Sequence, residues 1–293
     1  MRTALTLIAG AGGCGLSRLA ALVAEALGIE AEPVWLAPGE ACDLIFNASD
    51  PRAIARTARA AIGAAAVDIL VQPAAGRRKQ LLVADLESTI IENEMLDELA
   101  AILGIGPQVS EITRRAMNGE VDFVAALEAR VTLLAGIDSR ILEAAAARIR
   151  LTPGARTLVA TMRRDGAMTA LVTGGFTIFA DRVASELGFD RVVANRLEIV
   201  DRRVTGKLRP PIVTGQTKRE ALLALAAARD IPLAQTIAVG DGANDVATLS
   251  AAGIGVAFRA KPAVAAAARW RLDNADLTGL LYAQGYRKTE FAV

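Results

Sequence analysis

Four short, almost wholly apolar runs at residues 81–84, 169–172, 236–239 and 254–257 constrain this chain more than any other feature. Each has the length of a strand and is too short for a helix. Helical patterns separate them. Such runs are buried on both faces, which predicts an α/β fold with a doubly wound parallel sheet between helices. With 53% apolar residues in 293, the chain can fill the core that such layers need. Residues 94–150 interrupt the alternation with a long helical insert that has its own periodic apolar positions and is expected to form a cap.

The first 76 residues follow another pattern. Residues 5–9 read as a strand, and 16–27 as a helix with Leu16, Leu19, Val23 and Leu27 inward. Residues 32–36 and 42–47 form a predicted hairpin around Pro38-Gly39. Residues 51–65 are a second helix, with Asp50 as N-cap and Pro51 at its first position, and 67–72 a last strand. This β-α-β-β-α-β order is ferredoxin-like. Residues 73–79 read as a linker, so domains are expected at 1–76 and 80–293. Gly10-Ala-Gly12-Gly-Cys-Gly15 matches G-x-G-x-x-G, but the segment behind it is too short for a dinucleotide fold and lacks the Lys-Ser/Thr of a P-loop.

Composition excludes several classes. There is no histidine, so His triads, His general bases and His metal ligands are ruled out. Any metal must sit on oxygen ligands, which favours Mg²⁺ or another hard cation. The two cysteines, Cys14 and Cys42, fit no metal spacing and no disulfide scaffold; they read as small apolar residues in a reducing compartment. Net charge is +1 and no basic tract occurs, so nucleic acid is not an expected partner. No apolar stretch reaches the ~20 residues of a membrane span. No A-x-A cleavage site follows the N-terminal apolar stretch, so a cytoplasmic protein is expected.

Three of the apolar runs end in polar clusters: Asp85-Leu-Glu87-Ser-Thr89, Thr173-Gly174-Gly175 and Asp241-Gly-Ala-Asn244-Asp245. Ligands of open α/β sheets bind beyond the carboxyl ends of the strands, so the clusters are expected to converge. Asp85 and Asp241 can share one Mg²⁺. Thr173, Gly174 and Gly175 offer a hydroxyl and unhindered N–H groups to phosphate oxygens. Lys218, just before a helix predicted over 219–229, can add a point charge. A hard metal, a phosphate cradle, a lysine and a free carboxylate suit phosphoryl transfer.

These clusters, in this order, resemble the motif set of haloacid-dehalogenase phosphatases. Ser88-Thr89-Ile90-Ile91 with Glu94, Asp97-Glu98-Leu99-Ala100, residues 253–261 and residues 276–282 resemble the phosphoserine phosphatase branch, over about residues 80–290. The N-terminal segment loosely resembles that branch's ferredoxin-like (ACT-like) regulatory domain. The resemblance implies Asp85 as nucleophile and Glu87 as general acid and base. It implies Mg²⁺ on Asp85, the Glu87 carbonyl and Asp241, with Asp245 supporting. Thr173, Gly174, Lys218 and Asn244 would hold phosphate, Glu94 the substrate ammonium and Arg130 its carboxylate, while Phe123 closes the lid. The implied substrate is O-phospho-L-serine, in the last step of serine biosynthesis. A homodimer is left open. Two departures stand out: Glu87 replaces the family's usual Asp, and Thr173 its frequent Ser. The longer Glu87 reaches ~1.5 Å further, which predicts slower hydrolysis, or phosphate transfer to an alcohol such as homoserine.

Overall fold

The structure, a computed structural model, describes residues 1–10, 15–117 and 120–292. Its N-terminal part runs β1 (Arg2–Ala9), α1 (Leu16–Leu27), β2 (Val34–Ala37), β3 (Ala41–Asn47), α2 (Pro51–Ile62) and β4 (Val67–Pro73). The strands form an antiparallel sheet in the order β2-β3-β1-β4, as the ferredoxin-like pattern requires. Local chemistry fixes α2 at both ends. The Asp50 carboxylate accepts the N–H groups of Arg52 and Ala53, both at 3.0 Å. Gly63, at φ +56°, ends the helix three residues before the expected stop at 65. Ile54, Ala58 and Ile62 recur every fourth residue and are buried. Of the G-x-G-x-x-G run, residues 11–14 lie outside the described residues.

The second sheet has seven strands in the order β11-β10-β9-β5-β6-β7-β8. Its central strand, β5 (Leu81–Ala84), is buried throughout and pairs in parallel with β6 (Met168–Phe176) and β9 (Thr236–Gly240). Beyond β9 lie β10 (Ile254–Phe258) and β11 (Trp270–Leu272), also parallel. Beyond β6, β7 (Arg191–Val200) and β8 (Arg203–Arg209) pair antiparallel. That hairpin was not expected: both strands are mostly half-exposed and lack the continuous apolar signal. The helices α7 (Ala155–Arg164), α8 (Thr177–Leu187), α9 (Gly215–Ala227), α10 (Val246–Ala251), α11 (Pro262–Ala267) and α12 (Gly279–Ala283) complete this part. The insert holds α3 (Met95–Leu103), α4 (Gly106–Met117), α5 (Phe123–Thr132) and α6 (Arg140–Ala146). An isolated bridge between Ile91 and Leu151 draws its two ends together.

One expectation needs correction. Lys218 is not ahead of its helix but within the first turn of α9, because Thr214 caps it by accepting the N–H of Thr217. The residues expected as a linker make specific contacts. Arg77 pairs with the buried Asp43 of β3 at 2.6 Å, and Lys79 Nζ donates to Gly76 O and Ala234 O at 3.0 and 2.8 Å. Among the described residues no helix is long and apolar enough to cross a membrane.

Candidate active site

The loops that follow β5, β6 and β9 meet at one point because these strands are neighbours and run in parallel. After β5 the chain makes a tight turn over Leu86–Ile90, with Ser88 in the left-handed region at φ +53°. Non-glycine residues rarely adopt this conformation, and it is held where surrounding structure demands it. Asp85 Oδ1 accepts the N–H of Leu86 at 2.8 Å. Lys218 Nζ stands 2.8 Å from Asp85 Oδ1 and 2.8 Å from Asp245 Oδ1. Asp245 Oδ2 accepts the N–H of Gly242 at 3.0 Å, so both its oxygens are engaged within the protein. A methyl on Gly240 would strike the Asp245 carboxylate, which explains the glycine there.

Carboxylate oxygens of Asp85, Asp241 and Asp245 lie within 4.8 Å of one another, and all three residues are buried. The one buried ammonium, Lys218, cannot balance three carboxylates, and Lys261 near Asp241 is exposed. Burial, then the charge of Asp85, lifts Asp241 to about 6, against the pull of Lys261. Burial, then Asp85, lifts Asp245 to about 7 despite Lys218. Burial acts to lower the Lys218 pKa, but Asp85 and Asp245 more than offset it and keep the ammonium charged. An all-oxygen donor set with residual negative charge fits a hard divalent cation, with Asp85 and Asp241 free to ligate and Asp245 holding Lys218.

Glu87 stands on the other side of the turn. Its Oε1 accepts the N–H of Met95, the first residue of α3, at 2.9 Å. A methyl on Gly175 would lie 2.9 Å from Glu87 Oε2, so the absent Cβ makes room for the longer acid. The extra C–C bond of Glu87 is therefore accommodated by the cap N–H and by Gly175. Burial first, then Glu94 and Asp85, push Glu87 up to about 8. It is thus protonated near neutral pH and able to give a proton.

Residues 173–175 bulge out of register between Val172 and Phe176. Thr173 Oγ1 accepts the N–H of Gly175 at 2.9 Å, which leaves its own proton to donate. Asn244 Nδ2 and Phe123 Cζ would lie 3.9 and 3.6 Å from a Cβ on Gly174, so the start of α5 stands above this loop. Phe123 is 41% exposed, unusual for its type and suited to a closing edge. The Glu94 side chain is exposed and accepts from Ser88 Oγ at 2.8 Å. Arg130 is partly buried; burial lowers its pKa while Glu87, Asp97 and Glu94 oppose that. These contacts bring Asp85, Asp241, Asp245 and Lys218 together, set Glu87 against Gly175 and place Phe123 and Asn244 beside Gly174, while Glu94 and Arg130 are linked to Glu87 by charge alone.

Four neighbours had been given no role. Thr89 Oγ1 donates to Asp241 Oδ1 at 3.4 Å, and Lys261 Nζ is 3.8 Å from Asp241 Oδ2. Asp97 joins the charges facing Arg130. Asn195, fully buried on β7, donates to Gly174 O at 2.7 Å and accepts the Val213 N–H at 2.8 Å, tying the phosphate loop to the approach to α9. A lone amide amid apolar strand residues was its available sign.

The model of haloacid dehalogenase-like hydrolases matches residues 82–250, which include all three loops. The chain belongs to this family. It is 46% identical over 238 residues to a phosphoserine phosphatase of Streptomyces coelicolor, covering 80% of this chain and 58% of that protein. It is 45% identical to a phosphoserine phosphatase of Streptococcus thermophilus, over 68% of this chain and 93% of the relative. The chain thus spans little more than half of the first relative and nearly all of the second. A crystal structure of a HAD family hydrolase from Salmonella enterica subsp. enterica serovar Typhi superposes with a TM-score of 0.88 at 28% identity, covering 96% of this chain and 98% of that one. The likeness to that hydrolase thus extends over both sheets.

Proposed function

We propose that the protein is a Mg²⁺-dependent phosphatase that hydrolyses O-phospho-L-serine to L-serine and phosphate. The observation that carries the proposal is the buried Lys218, 2.8 Å from Asp85 and from Asp245. One Asp85 oxygen, held by Lys218 and Leu86, would also face the cation, and the other attacks phosphorus. The phosphorus–oxygen bond to serine breaks, and Glu87 gives its proton to the departing oxygen. Water, losing its proton to Glu87, then attacks phosphorus, and the bond to Asp85 breaks to release phosphate. Mg²⁺ held by Asp85, Asp241 and the Glu87 carbonyl would neutralise phosphoryl charge. Thr173, Gly174, Lys218 and Asn244 hold the phosphate oxygens in this proposal. Glu94 meets the substrate ammonium, Arg130 its carboxylate, and Phe123 excludes water as the cap closes. Names borne by the Streptomyces and Streptococcus relatives support this substrate, and the buried free thiol of Cys42 suits a cytoplasmic setting. Asp85→Asn should abolish phosphate release and the phosphate label that wild-type protein retains on acid quench. Full activity in that variant would refute Asp85 as nucleophile.

A further inference from the structure

Asp68, on β4 of the N-terminal sheet, is buried, with only 2% of its surface exposed, yet among the described residues it forms no ion pair. Its carboxylate instead gathers the segment that follows β11. Oδ1 accepts the N–H of Asp273 at 2.9 Å and Asn274 Nδ2 at 2.9 Å. Oδ2 accepts the N–H groups of Asn274 and Ala275 at 3.0 and 2.9 Å. Three successive backbone donors thus converge on one anion, a nest built across the junction of the two sheets.

The segment it holds reaches the site. Ala275 O accepts from Arg259 Nη2 at 3.2 Å, and Leu272 O accepts the Arg259 N–H at 2.9 Å. Arg259 sits in the left-handed region at φ +42°, a conformation an arginine keeps only when contacts on both sides hold it. Two residues on, the Lys261 N–H donates to Asp241 O at 3.2 Å, and its ammonium stands 3.8 Å from Asp241 Oδ2. Just beyond this segment the Leu277 N–H donates to Pro153 O at 3.1 Å, next to the Ile91–Leu151 bridge that draws the ends of the insert together.

We propose that Asp68 is a positioning residue for the metal-binding loop. By fixing residues 273–275 it sets the Arg259 turn and so the Lys261 backbone N–H that holds the Asp241 main chain in place. The N-terminal domain thereby tunes the cation affinity of a site it does not touch. This rests on the proposed metal role of Asp241. Partners that orient a ligating carboxylate typically change metal affinity about 10-fold or more when lost.

The test is calorimetric Mg²⁺ binding to the metal-free full chain, well below its melting temperature. Asp68→Asn replaces an acceptor oxygen by a donor facing N–H groups, and should weaken binding about 10-fold. Arg259→Ala, which leaves the nest intact, should weaken it too; this variant carries the test if Asp68→Asn does not fold. Gln72→Ala removes a different junction bond, from Gln72 Nε2 to Ala283 O at 2.6 Å, and should leave binding unchanged. Folded Asp68→Asn and Arg259→Ala proteins with wild-type affinity would overturn the relay alone. Equal weakening by Gln72→Ala would also overturn it, since general loosening of the junction would then suffice. Wild-type protein that binds no Mg²⁺ would overturn the proposed function and the relay with it.

Discussion

Replacing Lys218 by Met keeps the length of the side chain and removes its charge. Lys218 is 1% exposed, and its Nζ contacts Asp85 and Asp245 at 2.8 Å each. At an effective dielectric of about 20, one such contact is worth about 6 kcal/mol before desolvation is counted. Desolvating the ammonium returns several kcal/mol, and loss of one partner from a buried pair typically costs about 3–5 kcal/mol net. Metal-free Lys218→Met should therefore lose about that much stability in urea unfolding at neutral pH. Divalent binding should move the other way. Removing one positive charge from three carboxylates should tighten Mg²⁺ by roughly tenfold or more, a small fraction of the repulsion relieved. Catalysis should still fall by about 10²–10³, because a donor to the transferring phosphoryl group is gone. The combination of weaker fold, tighter metal and slower turnover is specific to a lysine shared among carboxylates. Unchanged stability, or weaker Mg²⁺ binding, would refute the electrostatic account of the site.

Three further outcomes follow from the same geometry. Asp241, raised to about 6 mainly by burial, binds its proton more tightly folded than unfolded; its contribution of up to about 3 kcal/mol is present below pH ~4 and lost as pH rises through about 6. Metal-free protein should show this decline, Mg²⁺ at neutral pH should oppose it, and Asp241→Asn should remove from the unfolding curves the share centred near pH 6, leaving those of Asp245 and Glu87 at higher pH. Gly175→Ala puts a methyl 2.9 Å from Glu87 Oε2 and should lower kcat by about 10²-fold, with Mg²⁺ binding by calorimetry unaltered; wild-type kcat would remove Glu87 from the chemistry. Arg130→Lys forfeits a two-pronged grip on carboxylate, so KM for phosphoserine should rise about 10-fold or more while turnover of an aryl phosphate holds.

Much of the site could be read from the chain because its parts are local. Residues 81–84 and 236–239 are strands buried on both faces, and such strands show as unbroken apolar runs whose polar endings mark the carboxyl edge. Asp85, Thr173 and Asp241 needed no more than that. What escaped depends on contacts between distant segments. Asp68 looks like one polar residue in an apolar strand until the 273–275 segment folds onto it. The room for Glu87 comes from Gly175, on another strand, so the sequence suggested a misfit where the structure has a paired adjustment. The contacts of the charges at 77–79 were not legible because their partners, Asp43 and the carbonyl of Ala234, lie far along the chain.

Phosphate release from O-phospho-L-serine, with and without Mg²⁺ and beside phosphothreonine and an aryl phosphate, tests the central claim most directly. The account predicts metal-dependent turnover strongly selective for phosphoserine, with no phosphohomoserine formed when homoserine is added. Turnover of the aryl phosphate alone would contradict it, leaving a phosphatase of this family whose Glu94 and Arg130 recognise no amino acid.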